Sequence, residues 1–218
     1  MNAPMTGRER VLSALAHREP DRVPIDIGGC SFTTMMDGVY DDIMRVTGLR
    51  APKRYFSGKM HTVLVDEPVA SRLHVDTVAL TLGQPDGFSE VEAPDGSVED
   101  EFQVIWIPAS DGRRSPLGNP LANTTTSTLN DYRWPDPLDL GRYRGLRERA
   151  RQLHEETDRA VVLTLPIGIV HQTQYLRGYE QWLIDTVLEP EFFDALMELA
   201  LDWWLTVVKT ALEAVEPY

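Results

Sequence analysis

Polar and aromatic side chains follow an uncharged apolar run in the last third of the chain. The run covers residues 161–165 (VVLTL), and His171 and Tyr175 come after the breaks at Pro166 and Gly168. A short β-branched run without charge is typical of a strand buried on both faces of a parallel sheet. Ligands bind at the carboxyl ends of such strands. We therefore expect a pocket wall here, with His171 and Tyr175 as the candidate catalytic residues.

Each of these two residues also has a structural interpretation. A histidine near a strand end is commonly a hydrogen-bonded structural residue, although its pKa suits acid–base work. A half-buried tyrosine can satisfy its hydroxyl on the backbone instead of on a ligand. Both interpretations stay open for His171 and Tyr175. Arg177 is within reach of Glu180 as an i,i+3 pair on the following helix, and neither is predicted to be catalytic.

A second candidate element follows the short apolar segment 23–27, which we interpret as the first strand. Asp26 points out of that strand and Gly28-Gly29 follow it. Glycine lets the backbone approach a ligand closely, but it also simply permits a turn. We take Asp26, Gly28 and Gly29 as candidate substrate-binding residues, with a cap or turn role as the alternative.

No metal ligand is predicted in the chain. Cys30 is the single cysteine, and it has no cysteine or histidine at metal-ligand spacing. The simplest interpretation of Cys30 is a small buried hydrophobic residue.

Strand and helix patterns alternate along the chain. The predicted strands are 23–27, 75–82 and 161–165, and the predicted helices are 6–16, 37–46, 66–73, 141–156, 178–188 and one beginning at Pro190. Thr6 and Glu9 have the spacing of a capping box, and apolar residues of 6–16, Leu12 and Leu15 among them, are expected to face the core. Alternation of strands and helices predicts an α/β fold with a parallel sheet.

One antiparallel element interrupts this pattern. Two β-rich segments flank Ala93-Pro94-Asp95-Gly96, and Pro-Asp-Gly is a turn sequence. We expect a β-hairpin insertion at about 86–108, followed by a linker at about 109–140. Residues 51–60 are basic and are predicted to be irregular.

Composition excludes several classes of function. The chain of 218 residues has a net charge of −13, which disfavours nucleic acid and anionic lipid as partners. It has no apolar run approaching the ~20 residues of a membrane span, and its first residues do not form a signal peptide. One cysteine allows no internal disulfide. We expect a soluble cytoplasmic protein that acts on a small molecule.

Several segments together resemble the uroporphyrinogen decarboxylase-like superfamily, and most closely its branch of cobalamin (corrinoid)-dependent methyltransferases. They are TGRERVLSALAHREPDRVPIDIGG, LHVDTVALTLG, DEFQVIWI, WPDPLDLGRYRGLRERA and the stretch 161–178 with YLRGYEQWL. They follow the order of the family and cover nearly the whole chain. The resemblance implies a (β/α)₈ TIM barrel with its pocket at the carboxyl ends of the strands.

The chain resembles only the first part of that barrel. Three strands cannot close a (β/α)₈ barrel, which typically takes ~250 residues. Residues 1–218 are therefore expected to form an incomplete barrel of about three β/α units with an inserted hairpin. An open barrel leaves the edge of its third strand unpaired, which favours self-association.

The resemblance implies methyl transfer between a corrinoid and a zinc-activated thiol. In the family the His and Cys ligands of the zinc lie in the second half of the barrel, so they would lie outside this chain. A corrinoid protein is an implied partner. A tetrapyrrole decarboxylase, which is a lyase, is the alternative: Tyr175 matches its functional tyrosine, but IGGCSFTTMM contains no arginine where the family has an Arg-rich loop, and the functional Asp is absent near Gly83. A third alternative is a non-catalytic partial barrel that binds a ligand or associates.

Overall fold

A computed structural model describes residues 4–166 and 168–216. The helices are α1 (Gly7–Leu15), α2 (Asp37–Thr47), α3 (Glu67–Arg72), α4 (Leu140–Tyr143), α5 (Leu146–Glu156), α6 (Ile169–Arg177), α7 (Tyr179–Leu188) and α8 (Pro190–Val215). The strands are β1 (Arg54–Ser57), β2 (Thr62–Leu64), β3 (Thr77–Thr81), β4 (Val98–Glu99), β5 (Ile105–Pro108), β6 (Arg114–Gly118) and β7 (Ala160–Thr164). The described residues divide into two compact units: residues 4–82, 145–164 and 215–216 form the first, and residues 83–144, 165–166 and 168–214 form the second.

A parallel pair of strands, β3 and β7, forms the sheet of the first unit. The pairing runs in register from Thr77 opposite Ala160 to Thr81 opposite Thr164, and α5 packs on both strands. Two of the three strands predicted from the sequence are therefore confirmed, and so is the α/β class. Parallel strands need a long crossover between them, and the residues between β3 and β7 supply it.

The predicted strand at 23–27 is wrong, because this segment forms no β-ladder. Its backbone meets the residue before β3 at Ile25, whose carbonyl oxygen accepts from the N–H of Asp76 at 2.8 Å. The N–H of Ile25 donates to the carboxylate of Asp76 at 2.8 Å, and Pro24 has no N–H to donate. A side chain thus takes the backbone donor that a ladder would use.

The basic segment at 51–60 is not irregular throughout, as predicted. Strands β1 and β2 form an antiparallel hairpin, with Arg54 opposite Leu64 and Tyr55 opposite Val63. Val63 is fully buried and packs in a core cluster with Tyr40 and Val69. The hairpin was missed because its charged residues obscure the short apolar pattern.

Helix α1 begins with the predicted capping box, but it buries a different face. Thr6 accepts from the N–H of Glu9, and the Glu9 carboxylate accepts from the N–H of Thr6. Leu12 and Leu15, predicted to face the core, are exposed, whereas Arg10 is buried. The reason is electrostatic, since Arg10 binds two carboxylates inside the unit.

The next two helices begin close to their predicted positions. Helix α2 stops at Gly48, whose φ of 70° suits glycine. Asp66 occupies the N-cap position of α3, but its side chain does not cap the helix.

The second unit contains a three-stranded antiparallel sheet in the order β4-β5-β6. The predicted turn is present, since the N–H of Gly96 donates to the carbonyl of Ala93 at 2.8 Å and Glu92 bridges Val98. Strand β6 is a correction, because it lies within the segment predicted as linker. Residues 129–131 of that segment also form a turn of 3₁₀ helix.

The helices that follow the predicted linker differ in part from the prediction. The helix predicted at 141–156 is broken into α4 and α5, because Gly145 has a φ of 67°. The polar stretch after Pro166 is helical as α6, and Ile167 of the stretch 161–178 lies outside the described residues. The long helix α8 is confirmed, and its buried stripe comprises Phe192, Leu196, Ala200, Trp203, Val207 and Ala211. Among the described residues, no helix is long and apolar enough to cross a bilayer.

Candidate functional site

The loop after residue 25 lies over the face of the β3–β7 pair that carries two threonines. Asp26 accepts at Oδ1 from the hydroxyl of Thr77 at 2.5 Å and from the N–H of Gly29 at 2.8 Å. The hydroxyl of Thr164 donates to the carbonyl oxygen of Gly29 at 3.0 Å. Both strands of the pair therefore hold the loop. Asp26 itself is exposed, so its carboxylate is accessible to a ligand.

The two glycines of this loop are explained by close packing. Gly28 has a φ of 90°, and a Cβ there would lie 2.7 Å from a methyl group of Val65. A Cβ on Gly29 would lie 2.4 Å from the Asp26 carboxylate oxygen. Any side chain at either position would clash within the unit. Close packing within a turn therefore explains both glycines. A role of Gly28 and Gly29 in substrate binding stays a prediction.

His171 and Tyr175 lie on helix α6 of the second unit, four residues apart and therefore on one face. Their ring centroids are 6.4 Å apart, and His171 is exposed. Tyr175 is half-buried and meets the ring of Trp106 edge to face at 5.1 Å. The indole N–H of Trp106 donates to Asp100 at 2.7 Å, which fixes the ring.

Burial governs the chemistry of the tyrosine. Desolvation raises the pKa of Tyr175, because a phenolate loses more hydration than a phenol. Burial therefore favours the protonated hydroxyl of Tyr175 further, and this form can donate a hydrogen bond. His171 lies on the same face and is exposed to water.

Arg177, at the end of α6, has a structural role. It forms an ion pair with Asp185, with 2.6 Å between Nε and Oδ2, and does not pair with Glu180 as the spacing allowed. It also donates to the carbonyl oxygens of Leu121 at 2.6 Å and Thr124 at 2.8 Å. This buried guanidinium fastens α6 to residues 121–124 and is not presented to a ligand.

The structure assigns the predicted site residues to two groups. Asp26, Gly28 and Gly29 belong to the first unit, and His171 and Tyr175 belong to the second. Within each group the residues lie together in one loop or on one helical face. The catalytic and binding assignments remain predictions.

The first unit also holds a cavity of about 410 Å³ that the sequence did not reveal. Its wall includes Gly28, the whole of β3, and one side of α5. Small-molecule pockets commonly span ~300–1,000 Å³, and this volume lies within that range. The charged residues of its wall are Arg54, Asp66, Glu67, Arg149, Glu156 and Arg159.

Four of these six charged residues form two ion pairs. Arg54 donates to Oδ1 of Asp66 at 2.5 Å, and the hydroxyl of Tyr40 donates to its Oδ2 at 3.3 Å. Arg159 binds Glu67, and this contact lowers the pKa of the Glu67 carboxyl. Two components of this cavity wall were visible in the sequence, namely the basic segment 51–60 and the acidic residue Asp66. The sequence could not bring them together, because Asp66 matched an N-cap equally well.

The described residues do not fit the zinc ion that the resemblance implies. No group of three or more His, Cys, Asp or Glu side chains among them could hold a metal. Cys30 is partly buried, with its sulfur 3.5 Å from the Thr33 hydroxyl. No step of a reaction is therefore derived through zinc bound to these residues.

Comparisons of the chain with family models, curated proteins and solved structures gave no significant match.

Proposed function

We propose that the chain is the first part of a uroporphyrinogen decarboxylase-like (β/α)₈ barrel enzyme that transfers a methyl group between a corrinoid and a zinc-activated thiol. The observation that carries the proposal is the parallel β3–β7 pair with α5 packed on both strands. That arrangement supports the proposal because a (β/α)₈ barrel repeats such units, and the motifs LHVDTVALTLG and WPDPLDLGRYRGLRERA contain β3 and the beginning of α5. The zinc ligands and a corrinoid protein come from outside the chain.

In this proposal each unit supplies candidate contacts of its own. Tyr175 donates a hydrogen bond from a phenol that burial keeps protonated. The exposed carboxylate of Asp26 accepts from a donor group of the small-molecule substrate, and its bonds to Thr77 and Gly29 fix its position. The single cysteine supports a cytoplasmic location.

A tetrapyrrole decarboxylase is the second candidate, because Tyr175 matches the functional tyrosine that the resemblance implies for such enzymes. Its polycarboxylate substrate would need guanidinium partners. Arg54 and Arg159 are already bound to Asp66 and Glu67. Methyl transfer is therefore the better-supported proposal.

The test uses the complete gene product with methylcobalamin and a small thiol, and mass spectrometry detects the methyl thioether. We expect methyl transfer that requires zinc, and a Tyr175→Phe variant that is slower by a factor of about ten or more, since a positioned proton donor contributes ~10²–10⁴. Tyr55→Phe is the matched control, because Tyr55 is 42% exposed. Decarboxylation of a tetrapyrrole in place of methyl transfer would support the second candidate. No turnover of either substrate by the complete product would overturn both.

A further inference from the structure

Helix α7 exposes an apolar face that covers about half of its circumference. Its large exposed residues are Tyr179, Leu183, Ile184, Val187 and Leu188. Val187 is 76% exposed and Leu188 71% exposed, although the helix has only ten residues. Monomeric proteins rarely expose a contiguous patch of this kind unless it binds something.

Polar contacts hold this helix with its apolar residues outward. Asp185 on the opposite side is 1% exposed and binds Arg177, while the amide of Gln181 donates to it at 2.7 Å. The indole N–H of Trp182 donates to the hydroxyl of Thr173 at 2.9 Å. Rotating α7 to bury its leucines would separate Asp185 from Arg177, and leaving a buried charge unpaired is costly. The outward face is thus built into the unit.

The charge of this face selects its partner. Glu180 is exposed and, one helical turn before Leu183 and Ile184, lies within the apolar stripe. Helix α7 contains no lysine, arginine or histidine, and its other acidic residue, Asp185, is already bound to Arg177. A purely apolar partner would desolvate the Glu180 carboxylate without compensation. A second copy would bring another acidic face against it.

We propose that the α7 face binds a separate polypeptide through an amphipathic helix that carries lysine or arginine beside its apolar residues. The apolar side of that helix covers Leu183, Val187 and their neighbours, and a cation on its border pairs with Glu180. Helix-in-groove and helix-on-face binding commonly use such anchors at i, i+3, i+4 and i+7.

The probes are two labelled peptides of about 14 residues, roughly four helical turns, with the same leucine face. One has lysine at its polar positions and the other has glutamate. We expect the lysine peptide to bind the whole chain at least about tenfold more tightly by fluorescence anisotropy, and added salt to weaken this binding through screening. Equal binding of both peptides, or binding of neither, would overturn the proposal.

Three variants locate the site. Val187→Asp should weaken lysine-peptide binding at least about tenfold, and Glu180→Gln about threefold to tenfold with a smaller salt dependence. Glu198→Gln, an equally exposed acidic position on α8, should change the affinity less than about twofold. An equal loss in Glu198→Gln would show non-specific attraction to an acidic protein, against the proposal.

Light scattering tests the remaining candidate occupant, a second copy of the chain. A second copy on this face would give a mass that halves in Val187→Asp, and this result would overturn the proposal in favour of a dimer. Self-association that persists in Val187→Asp belongs to another surface and leaves the peptide result decisive. Far-UV circular dichroism verifies the fold of Val187→Asp, and Glu180→Gln, which removes only a charge, gives the answer if that fold is lost.

Discussion

Both units bury arginine, but Arg10 of the first unit and Arg177 of the second are neutralised in different ways. In the first unit Asp76 accepts from Arg10 at 2.5 Å and from Arg22 at 2.7 and 2.8 Å. Arg10 binds a second carboxylate, Asp21, at 2.6 Å. In the second unit Arg177 has a single carboxylate partner, Asp185, and both side chains are almost fully buried.

This difference predicts unequal tolerance to mutation. A shared network leaves a remaining partner when one group is removed, whereas a single pair leaves an isolated buried charge. The network of the first unit fastens α1 and the segment around Ile25 to the beginning of β3. The pair of the second unit fastens α7, with its exposed apolar face, to α6.

Asp185→Asn should therefore have the largest effect. It leaves Arg177 buried without a counter-charge, and we expect a loss of ~3–5 kcal/mol in the free energy of unfolding. Urea denaturation measures this loss, and Asp194→Asn, on the exposed side of α8, is the control with little change expected. A loss as small as that of the control would show that the pair carries no such energy.

Asp76→Asn should cost less, although Asp76 has more bonds. Arg10 keeps Asp21, and the partly exposed Arg22 regains water, so we expect ~1.5–3 kcal/mol, the range for bonds to a charged group. The same denaturation series measures it. If this variant loses more stability than Asp185→Asn, sharing does not protect the first unit.

The sequence indicated the parts of both regions but not the partners. The uncharged runs predicted β3 and β7, since a doubly buried strand leaves a local pattern. The burial of Arg10 in place of Leu12 could not be predicted, because it depends on Asp21 and on Asp76, which is 66 residues away. The strand predicted at 23–27 failed for the same reason, because the Asp76 carboxylate takes the N–H of Ile25.

For the candidate site, too, the sequence predicted residues but not their contacts. Asp26 and the two glycines were identified from local chemistry, and their contacts with Thr77, Thr164 and Val65 were not. Tyr175 was chosen from the resemblance, while its helix was missed because His171 and the residues around it looked like a polar loop.

The loop over β3 and β7 is held by the exposed carboxylate of Asp26. Asp26→Asn keeps the shape of the side chain but removes the charge from two hydrogen bonds. We expect a loss of ~0.5–1.5 kcal/mol, well below that of either buried aspartate. An effect equal to that of Asp76→Asn in denaturation experiments would show that the loop is more deeply integrated than its exposure indicates.

The smallest effect is expected from Asp21, at the exposed end of the shared network. Its hydrogen bond from Arg10 lowers the pKa of Asp21 to about 2, from an ordinary value of 3.8. A lowered pKa stabilises the fold fully above about pH 4, and this contribution is lost as the pH falls towards 2. Between these pH values the urea midpoint of the wild type should fall more than that of Asp21→Asn. Parallel pH curves for the two proteins would contradict the assignment.

Zinc analysis of the purified, untagged chain tests the central functional claim most directly. The claim is that these residues form pocket wall and that the metal centre comes from elsewhere. After incubation with zinc and gel filtration, the account predicts zinc well below one ion per chain. One tightly held zinc ion per chain would contradict it.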